Sequence, residues 1–336
     1  MTKKAIPPKA WGSVFIPDAL KARFANATPY ERLSQLIRFA ADNKIDSVTV
    51  YLEDNGANGL VNFGILTVNL ADLNPVEMRN VIQQARDNNV YLDLHAPWLS
   101  GNIGRGSNNE VQGSFAYPDP TSNPRVFSNI LDFCQMYHEV TGQRLELTIH
   151  TSAEPDSWAP WIRSVGRYAS INVENGFTFA AAEQPAGASY PADGLKYFNA
   201  SRPYTRAEYS SWTQGLIRAV NDRNVNINAL VDIAHAAVAQ NDPLAYVYFL
   251  HDAIQAGIPV QRLHLASYNL EGTTLGTRDN HGTPPEFGRQ AALDEARRLN
   301  RYDEMAPLID RVFSCLETLQ QDGRLGITVE SKTYLA

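Results

Sequence analysis

An α/β barrel of eight parallel strands is the fold class this sequence predicts, and three observations predict it. Short apolar runs alternate with amphipathic helical stretches from one end of the chain to the other, the runs number eight, and no series of antiparallel hairpins interrupts them. The runs cover residues 11–16, 47–52, 90–95, 145–150, 169–174, 227–232, 262–266 and 325–330. Each has strand length and lies between turn signals, which is how a strand buried in a parallel sheet reads. Eight strand-helix units close into a (β/α)8 or TIM barrel, with long loops expected at the C-terminal face, where such barrels build their active sites.

The intervening helices announce their starts. Thr28-Pro29-Tyr30-Glu31 is a capping box with proline at the first helical position, and Asn74-Pro75-Val76-Glu77 repeats it. Asn123-Pro124 and Asp242-Pro243 have the same cap-then-proline form, and Gly257 is placed to close the helix begun at Asp242. A chain of 336 residues fits one barrel domain, 1–336, with room for long connections. Three connections are long: from His95 past Gly101 and Gly106 to Pro120, from Glu174 to about Thr205, and from His264 to about Phe287. The second carries Phe177, Phe179, Tyr190, Tyr197, Phe198 and Tyr204, too aromatic for a disordered insertion, so a lid at about 176–204 is expected.

Charge and composition exclude some partners. Lys plus Arg is 29 against Asp plus Glu 36, a net charge of -7, which argues against generic nucleic-acid binding. The first ten residues contain no apolar core of a signal peptide and no apolar stretch reaches membrane-spanning length, so a soluble, cytoplasmic protein without membrane partners is expected. Cys134 and Cys315, far apart in helical patterns, read as buried free thiols in a reducing compartment.

The chemistry concentrates at the ends of the strands. The run from Asn228 to His235 ends in a carboxylate, Asp232, and an imidazole, His235, three residues apart. Of the seven histidines in the chain, His95, His150, His235, His264 and His281 stand at or just past a strand end, whereas His138 and His251 fall inside helices and read as structural. A single histidine in such a place is ordinarily a satisfied core or surface residue. Five of them interleaved with Glu174, Asp232, Asp279 and Glu330 make a set of nine that reads as metal ligands. Imidazole and carboxylate are what zinc takes in open catalytic sites, and nine exceed what one tetrahedral ion uses, so more than one ion is implied.

His95-Ala96-Pro97, Val173-Glu174-Asn175, Asp232-Ile233-Ala234-His235, Asp279-Asn280-His281 and Val329-Glu330 resemble, in that order, the endonuclease IV family (AP endonuclease family 2) within the xylose-isomerase-like barrel superfamily. The resemblance implies three zinc ions. His95 and His150 would hold one, Asp232, His264 and Glu330 a second, and His235, Asp279 and His281 the third. Glu174 would bridge the first two and be the position catalysis is most sensitive to. Bridged zinc makes water acidic enough to ionise near neutral pH and neutralises charge on a leaving oxygen, so hydrolysis of a phosphoester or phosphodiester is the expected reaction.

The chain departs from the DNA-repair members of that family in being acidic and in placing few cations in its long loops. Affinity for duplex DNA comes largely from phosphate neutralisation, so a small phosphorylated or carbohydrate-like substrate is expected instead. Two other readings compete. A sugar or sugar-phosphate isomerase or epimerase of the same superfamily would, by resemblance, hold one Mn²⁺ or Mg²⁺ with Glu174, Asp232, His264 and Glu330, leaving His95, His150, Asp279 and His281 surplus. A barrel that only binds a ligand would have to carry nine buried ligands without an ion, at a cost of several kcal/mol per uncompensated charge.

Overall fold

Each expected run contains a strand, though of the first run, 11–16, only residues 11 and 12 are described, and the strands close into a ring. The computed structural model describes residues 10–12, 24, 27–52, 67–97, 104–105, 111–112, 119–151, 154–176, 206–270 and 286–330. The barrel strands are β1 Ala10–Gly12, β2 Ser47–Leu52, β3 Tyr91–His95, β4 Leu145–His150, β5 Ala169–Glu174, β6 Ile227–Asp232, β7 Val260–Ala266 and β8 Gly326–Glu330. Neighbours in sequence pair in parallel all the way round, and β1 closes the ring by pairing with both β2 and β8. The pairings of its described residues reach Thr49 on β2 and Val329 on β8; further along β2, Thr67–Val68 pairs with Tyr51 and Leu52.

Around the ring lie α1 Pro29–Asp42, α2 Pro75–Asp87, α3 Pro124–Thr141, α4 Pro155–Val165, α5 Arg206–Val220, α6 Ile233–Gln240, α7 Ala245–Gln255, α8 Arg289–Arg298 and α9 Tyr302–Gln321. Both expected capping boxes form, with Thr28 accepting from the Glu31 amide and Asn74 from the Val76 and Glu77 amides. Two start signals act differently. Asn123 precedes α3 with a backbone that turns its side chain away from capping, and Asp242 stabilises a turn through the Leu244 amide, so α7 begins only at Ala245. Gly257 does follow α7, with φ of 68°, where a side chain would be strained.

The apolar core is the layer between strands and helices. Outward residues such as Val48, Val50, Leu92, Leu94, Leu147, Ile149, Ile171, Val173, Val231 and Leu263 are buried against helix faces carrying Leu36, Ile37, Val81, Ile82, Ile130, Phe133, Trp158 and Ile162. Residues two apart on a strand share a face, so the inner face carries the other parity, and it is polar. Ser47, Thr49, Asp93, Thr148, Asn172, Asn228, Arg262 and Thr328 are all buried. The interior of such a barrel is ordinarily filled by branched aliphatic side chains; here hydrogen bonds fill it. Arg262 donates to Asp93 at 2.6 Å, Ser47 donates to the same carboxylate oxygen at 2.5 Å, and Asn172 donates to Glu146 at 2.8 Å.

His138 and His251 lie in α3 and α7 as expected. Cys134 is buried in α3, whereas Cys315 in α9 is only half-buried, so the expectation of two buried thiols holds for one of them. Among the described residues no helix is long and apolar enough to cross a membrane. The expected lid, apart from Gly176, lies outside the described residues. Within the connection after β3, the described residues Gly104–Arg105 and Val111–Gln112 form a short antiparallel pair.

Candidate metal centre

The same inward parity that makes the interior polar delivers a cluster of imidazoles and carboxylates to the mouth. His95, His150, Glu174, Asp232 and Glu330 end their strands and His264 sits within β7; all six are buried. His235 arrives from the first turn of α6, its backbone amide bonded at 2.7 Å to the side chain of Asp232, the residue that caps that helix. Of the nine residues expected from the sequence, seven therefore meet here; Asp279 and His281 lie outside the described residues.

Glu174 is the hub. Its Oε2 lies 2.9 Å from Nε2 of both His95 and His150, while its Oε1 lies 2.8 Å from His264 Nδ1 and 3.9 Å from His235 Nδ1. His264 Nδ1 is also 2.9 Å from Glu330 Oε1 and 3.9 Å from Asp232 Oδ2. Three groups have ligand atoms within 4.8 Å of one another: His95 with His150 and Glu174, Glu174 with Asp232 and His235, and Asp232 with His264 and Glu330. Glu174 and Asp232 each belong to two groups, which is the overlap that shared ligands require.

The charges are held hard. Burial alone would raise the pKa of Glu174, but His264 and His150 keep its carboxyl well below the usual carboxylate range. Burial opposes a charge on His264, yet the Glu330 and Glu174 carboxylates raise its pKa to about 10. His150 goes the other way, with burial lowering it to about 4 against the pull of Glu174. The two imidazoles are thus driven in opposite directions within one buried cluster.

The donor set fits divalent ions. Imidazole nitrogens and carboxylate oxygens are zinc ligands, and a ligating histidine usually fixes its other nitrogen on a carbonyl. His95 Nδ1 lies 2.8 Å from the Ala96 carbonyl oxygen and His235 Nδ1 lies 3.0 Å from that of Asn175, and the other nitrogen of the His95 ring, Nε2, faces Glu174.

Two residues here were not singled out by the sequence. Asn175 pairs with the backbone of Asp232 in both directions, accepting from its amide at 2.7 Å and donating to its carbonyl at 3.1 Å, so it fixes the turn from β6 into α6. The Glu174-Asn175 dipeptide stood within a recognised motif, but nothing local assigns a role to its amide. Tyr51, buried near the end of β2, donates its hydroxyl to Glu330 and stacks its ring on His95, centroids 4.5 Å apart. Its signal is parity, since it is the inward residue of β2 at the height of the ligands.

No family model matches this chain, and neither does any curated protein. Several solved structures resemble it. D-psicose 3-epimerase from Clostridium cellulolyticum H10, solved with D-tagatose, is 12% identical over 90% of this chain and 80% of its own, with a TM-score of 0.45. D-allulose 3-epimerase from Methylomonas sp. is 14% identical over 98% and 86%, with a TM-score of 0.45. A xylose isomerase domain protein from Planctomyces limnophilus is 12% identical over 88% and 85%, with a TM-score of 0.43. At such identities the assignment of the fold rests on the strand pairing itself.

Proposed function

We propose that this chain is a metal-dependent enzyme that hydrolyses a phosphoester or phosphodiester with two or three zinc ions at the barrel mouth. The observation that carries the reading is the division of Glu174: one oxygen faces His95 and His150, the other faces His264. A carboxylate with ligand groups on both sides is placed as a bridge between a pair of ions would need it. His95, His150 and Glu174 would hold the first ion. Asp232, His264 and Glu330 would hold the second, with Glu174 shared, and His235 would join Asp279 and His281 at a third.

What such ions supply when bound is Lewis acidity, which makes water more acidic and neutralises charge at a departing oxygen. The chain's own part is orientation. Asn175 fixes Asp232 and His235 through the backbone, Ala96 fixes the His95 ring, and strand ends on all sides keep the ligands from spreading when their charges repel. A chain with net charge -7 suits a small phosphorylated or carbohydrate-like substrate better than duplex DNA.

The second reading is a sugar or sugar-phosphate isomerase or epimerase with one Mn²⁺ or Mg²⁺. It is favoured by the close set formed by Asp232, His264 and Glu330 with Glu174 Oε1, which would suffice for one ion. The epimerases named above act, by their names, on sugars of this class. Metal analysis of protein purified without chelator, together with assays on a bis-aryl phosphate and on a ketohexose, separates the two. Two or three zinc ions with phosphate ester cleavage support the hydrolase; about one manganese or magnesium ion with epimerisation supports the second reading and removes the first. Glu174→Gln is expected to abolish hydrolysis while the fold persists, and full activity in that variant would remove the bridge.

A further inference from the structure

We infer that Tyr51 is a positioning residue that holds the two halves of this centre in register, an inference that rests on the metal reading above. Its ring stacks on His95 at 4.5 Å with 25° between the planes, and His95 belongs to the first ligand group. Its hydroxyl donates to Glu330, which belongs to the group of Asp232 and His264. One side chain thus touches both groups, from a strand that supplies neither.

β1 lies between β2 and β8, and the pairings of its described residues reach Thr49, two residues before Tyr51, and Val329, one residue before Glu330. At the height of the ligands the outer edge of β2 passes to Thr67–Val68, so among the described pairings no backbone ladder ties β2 to β8 there. Among the described residues, the hydroxyl of Tyr51 bonded to Glu330 joins the two strands at that height. A buried tyrosine hydroxyl requires a partner. A carboxylate that spends one oxygen's lone pair on a phenol is restricted in how it turns toward an ion. Partners of ligands outside the coordination sphere commonly contribute 10- to 100-fold to metal affinity.

The test is competition of Zn²⁺ between the full chain and a chromophoric chelator for wild type, Tyr51→Phe, Glu330→Gln and the double variant, with melting of the metal-free proteins alongside. In Tyr51→Phe the dissociation constant of one zinc ion is expected to rise about 10- to 100-fold while the others and the metal-free melting temperature hold. Adding Tyr51→Phe to Glu330→Gln is expected to change zinc affinity little further, because the phenol acts through that carboxylate. Cobalt substitution gives an independent signature, a shifted d–d absorption for one ion only. A zinc-binding wild type matched by Tyr51→Phe overturns the role of Tyr51 alone, as does an equal weakening of every ion together with a lower metal-free melting temperature, which would mark a packing residue. A wild type that holds no zinc overturns the metal reading and this inference with it.

Discussion

Removing the guanidinium of Arg262 tests the polar interior of the barrel without reference to any ion. Arg262 and Asp93 are 2% and 4% exposed and pair at 2.6 Å, with Thr328 Oγ1 3.3 Å from the same Nη1. Arg262→Met leaves Asp93 buried with only the Ser47 hydroxyl as a donor among the described contacts. Breaking a buried pair on one side costs about 3–5 kcal/mol, and Coulomb attraction over about 4 Å between charge centres at an effective dielectric near 20 gives about 4 kcal/mol. With an unfolding entropy of about 2.1 cal/mol/K per residue, a chain of 336 residues should lose roughly 6 °C of melting temperature for a cost of that size. The assay is thermal and urea unfolding in excess chelator, so that bound ions contribute nothing. Arg262→Met/Asp93→Leu should recover most of the loss, because both charges leave together. A single variant within about 1 kcal/mol of wild type, or a double variant worse than the single, would refute the argument.

Other outcomes follow from the same contacts. The metal-free protein should be most stable near pH 6.5 as far as His264 and His150 decide it. Against the effect of burial, Glu330 and Glu174 raise His264 to about 10, so its contribution is present below its ordinary pKa and lost as pH rises toward 10. Burial lowers His150 to about 4, so its contribution is present above its ordinary pKa and lost as pH falls toward 4. Urea midpoints from pH 4 to 10 check both arms, and zinc, which requires neutral imidazole, should flatten the alkaline one. Asn175→Ala should cost about 2–3 kcal/mol, since it strips two buried bonds from the Asp232 backbone; an unchanged urea midpoint would contradict the positioning role. Thr28→Ala should cost about 1 kcal/mol, as loss of a working capping box does, and Asn123→Ala clearly less, because Asn123 makes no cap bond; equal urea midpoints for the two variants would contradict this.

The barrel was legible because its outward residues obey a simple rule. Val-Thr-Val in β2 and Leu-Thr-Ile in β4 present apolar side chains to the helices at every second position, and strand length and turn signals supplied the rest. The inner parity was legible only at its top, where Glu174 and Asp232 end their strands in polar residues that have no reason to be there otherwise. Lower down, Asp93 and Arg262 are 169 positions apart, and no local pattern says that they meet. Tyr51 and Glu330 are 279 apart, which hides the phenol's role in the same way. Asn123 misled because a residue type favourable at a helix start says nothing of the backbone angles that decide whether its side chain reaches the amides. Asp242 offered a turn bond two residues on, which competes with capping.

The polar axis of the barrel also governs how the chain can acquire its shape. Its cross-links join distant parts of the sequence: β3 to β7 through Asp93 and Arg262, β4 to β7 through Glu146 and Gln261, and β2 to β8 through Tyr51 and Glu330. A fragment ending after β4 would hold Asp93 and His95 on an open, water-filled concave face with none of these distant partners, so the bonds that fill the interior form only once β7 and β8 are in place. The interior of the barrel is therefore the last part of the molecule to be completed, and an arrangement lacking β7 and β8 keeps its apolar outer layer while its axis stays wet.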